Sequence, residues 1–61
     1  MSATLLLVLL ETGDVHTAVH FPSYTECVEY MHEAVDRSGV DALYFETREA
    51  YRIGEYVLYC E

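Results

Sequence analysis

Residues 4–21 read TLLLVLLETGDVHTAVHF. The run Leu5-Leu6-Leu7-Val8-Leu9-Leu10 does not alternate, so a strand here meets apolar surroundings on both faces and belongs in the interior of a sheet. Thr12-Gly13-Asp14 follows, in which Gly takes the positive φ of a tight turn and Asp tolerates it. The chain then alternates, with Val15, Thr17, Val19 and Phe21 on one side and His16, Ala18 and His20 on the other. A central strand hairpinned to a half-buried one is the reading.

Pro22 ends the second strand and Ser23-Tyr24-Thr25-Glu26 forms a capping box, with the Ser23 hydroxyl accepting from the Glu26 amide and the Glu26 carboxylate reaching back. Tyr24, Cys27, Val28, Met31, Ala34 and Val35 recur at spacings of three and four, one apolar stripe on a helix of about four turns. Ser38-Gly39 supplies its left-handed end. From Asp41 to Arg48, Leu43, Phe45 and Thr47 alternate with Ala42, Tyr44, Glu46 and Arg48, a third strand. Arg48 to Ile53 is too brief a pattern to assign to a loop or a helical turn, and Glu55 to Cys60 is a fourth strand. The expectation is one α+β domain over 1–61, ββαββ, with an antiparallel sheet ordered 2-1-3-4 and the helix on one face.

Sixty-one residues build only one small core, since a chain this short buries roughly 60% of the surface it exposes when unfolded. Eleven acidic side chains stand against three arginines and no lysine, a net charge of −8. Such a surface repels phosphate, so direct nucleic-acid or anionic-membrane binding is not expected, and a basic protein surface is the electrostatic complement. Leu5 to Leu10 is too short to span a bilayer and lacks the flanks of an export signal. Cys27 and Cys60 are too few for the disulfide framework of a secreted mini-protein, which favours reduced, buried thiols and a cytoplasmic location.

No catalytic chemistry is expected. There is no phosphate loop, nucleophile motif or cofactor fingerprint. His16 and His20, four apart on a strand, lie about 13 Å from each other, too far for one metal ion. Glu29 and His32 share a helix turn but form only half of a carboxylate metal motif. Cys27 and His32 point in different directions around the helix. Neither a cofactor nor a metal is called for.

Interaction chemistry is better represented. Glu26, Glu29, Glu33 and Asp36, spaced three, four and three apart, line one helix face, offset only by Arg37 four residues after Glu33. Like charges so placed do not help the helix form, which suits a strip that docks on Lys and Arg of another protein. Six tyrosines suit half-buried or interfacial positions. Tyr44, opposite Leu43 and Phe45, is expected on the sheet face without a helix, together with Tyr56 or Tyr59. Every second side chain of the leucine strand joins them there, and a homodimer through that face is the expectation.

The absence of lysine, the strong acidity and the hairpin, helix and strand from Val15 to Phe45 resemble the short accessory proteins of tailed bacteriophages, among them small inhibitors of bacterial RNA polymerase. That resemblance implies an intracellular, host-directed binding protein; joined with the acidic strip, the expectation is a non-enzymatic protein in the host cytoplasm that binds a basic host protein, standing in for nucleic acid. The alternative is a self-associating accessory protein whose acidity serves solubility alone.

Overall fold

A computed structural model describes all residues, 1–61. Its elements are β1 (Ala3–Leu9), β2 (Val15–Phe21), α1 (Tyr24–Ser38), β3 (Leu43–Phe45), β4 (Ala50–Ile53) and β5 (Tyr56–Cys60). The α+β class and the single helix are as expected from the sequence. The sheet has five strands, not four, in the order β2-β1-β5-β4-β3, every pair antiparallel.

The order 2-1-3-4 is therefore corrected. Arg48 to Ile53 contributes β4, and the strand beside β1 is β5, not Leu43–Phe45. The reason lies in the turns. Gly54, at φ 60, and Glu55 join Ile53 to Tyr56 in a two-residue hairpin with positive φ at its first position. A four-residue turn, Glu46 to Glu49, joins β3 to β4, closed by bonds from the Arg48 amide to the Phe45 carbonyl (3.1 Å) and the Glu49 amide to the Glu46 carbonyl (3.4 Å). Three strands so linked form a meander, and its last member docks on the leucine strand. β5 is the member suited to that place, with four half-buried residues and the buried Cys60, whereas β3 has three exposed residues and takes the edge.

The helix is bounded as its sequence dictates. The Ser23 hydroxyl accepts from the Glu26 amide at 3.2 Å, and Gly39 ends the helix in the left-handed conformation. The reciprocal bond of the capping box, from the Ser23 amide to the Glu26 carboxylate, is not formed. No helix is long and apolar enough to cross a membrane.

Cross-strand register assigns each side chain to a face. Ala3, Leu5, Leu7 and Leu9 of β1 share the helix side with Phe21, Val19, Cys60, Leu58, Tyr56, Tyr51, Ile53 and Tyr44. Cys27 and Met31 of the helix are fully buried against Ala3, Leu5 and Cys60, and Phe21, Val28, Tyr51 and Leu58 pack around them. Full burial of a side chain the size of Met31 contributes roughly 1.5–3 kcal/mol. Five of the six buried residues lie in this layer between helix and sheet, and the sixth, Ala50, sits on the opposite face beside Tyr59 and Phe45.

Cys27 and Cys60 are joined in a disulfide, with their Cα atoms 6.2 Å apart, and no free cysteine remains. The expectation of buried sulfurs holds and that of reduced ones does not. The sequence separation of 33 concealed a pair that the fold brings together, by laying the start of the helix over the end of β5. With the thiols gone, the cysteine-based argument for a cytoplasmic location loses its footing.

Candidate protein-interaction site

The acidic helix face is positioned by the stripe opposite it. Burying Cys27 and Met31 fixes the rotation of α1, and Glu26, Glu29, Glu33 and Asp36 are left exposed. Arg37 pairs with Glu33 and is the only ion pair of the molecule. Both partners are largely solvated, so the pair adds little stability and leaves the strip strongly negative.

The strip borders a feature the sequence did not announce. His32 Nδ1 and the Tyr51 hydroxyl are hydrogen-bonded at 2.6 Å, and the His32 ring meets those of Tyr44 and Tyr51 edge-on at 5.2 and 5.4 Å. Tyr44 and Tyr51 are cross-strand partners with ring centroids 4.9 Å apart. Glu29, His32, Glu33, Asp36 and Tyr51 line one open hollow. Partial burial, and then the Glu49 carboxylate with Tyr51, Glu46 and Tyr24 around it, pushes the Tyr44 phenol above its ordinary range, so it stays a neutral donor. His32 directly follows Met31 on the helix, and that adjacency to the buried stripe was the one sequence signal for its contact with the sheet.

The tyrosines assigned to the open sheet face divide. Tyr59 is there, paired with Leu6 and Ala50. Tyr44 and Tyr56 are not: Tyr44 shares the helix side with Tyr51, and Tyr56 pairs with Leu9 and packs against the His16 ring at 5.6 Å. Leu43 and Phe45, expected in the core, occupy the open face instead. Alternation separates two faces of a strand without saying which one the helix covers, and here the choice was reversed.

His16 and His20 are also on different faces. The register slips between Leu7 and Val8, a bulge that sets His16 beside Thr17, whose hydroxyl lies 3.0 Å from His16 Nδ1. His20 is on the open face, 3.0 Å from the hydroxyl of its partner Thr4. No three His, Cys, Asp or Glu side chains are grouped so that they could hold a metal ion.

The open face carries two full rows across the sheet and, beyond them, a shorter polar row of His20, Thr4 and Glu61. One runs Val15, Val8, Val57, Arg52, Leu43, and the next Ala18, Leu6, Tyr59, Ala50, Phe45. No protein-family model matches the chain, and neither a curated protein nor a solved structure is significantly similar to it.

Proposed function

We propose that this chain is a non-enzymatic binding protein that docks on a basic surface of another protein through the outer face of α1. The observation that carries this reading is the placement of Glu26, Glu29, Glu33 and Asp36, all exposed on one helix and neutralised only by Arg37. Four carboxylates on a rigid rod attract Lys and Arg at long range and hold them in a fixed line, a role that nucleic-acid phosphates play for basic proteins. The His32, Tyr44 and Tyr51 rings beside the strip offer faces on which an arginine or lysine can stack. The likeness in size, charge and layout to phage accessory proteins makes a nucleic-acid-mimicking inhibitor of host machinery the specific form of the proposal.

The test is capture from bacterial lysate on the immobilised chain, compared with Glu29→Gln/Glu33→Gln. Basic proteins retained by the parent, released by salt and lost from the variant support the reading. Equal retention by both forms, with equal salt dependence, would remove the strip from consideration. A second reading, a self-associating accessory protein, is favoured by the apolar sheet face.

A further inference from the structure

We infer that the sheet face turned away from α1 is the contact surface between two copies of this chain. The inference concerns a different surface from the docking reading and does not depend on it.

Composition is the first ground. Of the ten positions in the two rows, eight are aliphatic or Phe, one is Tyr59, and Arg52 alone is charged. Val15, Leu43 and Phe45 are 55%, 66% and 45% exposed, so three of the four row ends are large apolar groups facing water. Soluble chains rarely leave such a face open.

Charge identifies the occupant. Eleven carboxylate side chains give the molecule its −8, yet none stands in either row. Glu61, next to Thr4 at the rim, is the nearest in register. A basic partner would find Arg52 within the two rows and a carboxylate only at Glu61, on the margin beside Thr4 and His20. A second copy finds an apolar match, and back-to-back packing sends the two acidic helices to opposite outer sides, as far apart as the assembly permits.

Area and core agree. Five strands about 4.8 Å apart, from about 10 Å long at β3 to about 23 Å at β1 and β2, offer roughly 400 Å² in projection, so two faces bury on the order of 800–1,200 Å², at the lower limit of specific interfaces. Within one chain only six residues are buried. Sheets stacked about 10 Å apart create a second apolar layer that a chain this short cannot build alone.

Sedimentation equilibrium of the purified chain from about 1 to about 200 μM tests this. A species of twice the 7.0 kDa chain mass is expected, associating more tightly at about 0.5 M salt than at about 0.1 M, because screening weakens the mutual repulsion of two acidic chains. Leu43→Glu and Val57→Glu should each weaken association at least ~10-fold. Leu43 is already largely exposed, so its substitution reports on association even if Val57→Glu disturbs the fold. A 7.0 kDa species throughout overturns the inference and leaves the face to an apolar partner of another kind. A dimer unchanged by Leu43→Glu also overturns it and moves the contact elsewhere, the exposed edge of β2 first.

Discussion

Cys27, in the first turns of the helix, and Cys60, at the end of the last strand, are covalently joined across a Cα separation of 6.2 Å, and the bond links the two layers of the core. It closes a loop over a sequence separation of 33, which by chain-entropy reasoning constrains the unfolded chain by about 4 kcal/mol. For a domain with six buried residues that is a large share of total stability. Urea unfolding with and without a strong thiol reductant should show a loss approaching this figure. Equal midpoints, or an intact mass lacking the loss of two hydrogens, would rule the bond out as a stabiliser.

The turn between β3 and β4 carries a local conflict. Glu49 has φ 47, the only residue other than glycine with positive φ, and a side chain there crowds its own carbonyl. Glu49→Gly should therefore stabilise the chain by about 0.5–1 kcal/mol, net of the extra freedom that glycine gives the unfolded state. Gly54→Ala, at φ 60 in the next turn, should do the reverse. Thermal unfolding of both variants decides it, and a destabilised Glu49→Gly would mean that the Glu49 side chain contributes more than its backbone costs.

Tyr44 makes the alkaline side of the stability profile specific. Its phenol is raised above 10.0 by partial burial and by Glu49, Tyr51, Glu46 and Tyr24, so the folded chain keeps this proton to higher pH than the unfolded chain does. The contribution is complete below about pH 10 and disappears as pH rises through the folded value. Tyr44→Phe should match the parent in pH dependence at neutrality and lose less stability above the ordinary phenol range. Tyrosinate absorbance, titrated in both proteins, should show the late-ionising phenol missing from the variant. Identical alkaline profiles would contradict this account.

The physical reach of the sequence is visible in particular residues. Leu5 to Leu10 announced an interior strand because composition alone reports apolar surroundings, and Ser23 and Gly39 marked the helix ends because capping is a local interaction. Gly54-Glu55 was also a local hairpin signal, and reading it would have made Ala50–Ile53 a strand. Register is a different matter. Whether Tyr44 or Leu43 faces the helix depends on pairing across four neighbouring strands, and whether Cys27 meets Cys60 depends on where the meander docks. The acidic strip was legible from helical periodicity, but its neighbours Tyr44 and Tyr51, brought to His32 from two other elements, were not.

The helix strip itself permits a stability test that is independent of any partner. Glu29 and Glu33 are exposed i, i+4 neighbours, a repulsive arrangement, while Glu33 also pairs with Arg37 one turn further on. Glutamine has nearly the helix propensity of glutamate, so Glu29→Gln should relieve repulsion and stabilise the fold by a few tenths of a kcal/mol. Glu33→Gln removes repulsion and the solvated ion pair together, and the two nearly cancel, leaving a change within about 0.5 kcal/mol. The double variant should therefore be at least as stable as the parent at low salt, and the difference should shrink as salt screens the charges. Denaturant unfolding at two ionic strengths measures it. A double variant less stable by more than about 1 kcal/mol would show that these carboxylates support the fold, and the strip would no longer stand as a surface maintained at the expense of its own helix.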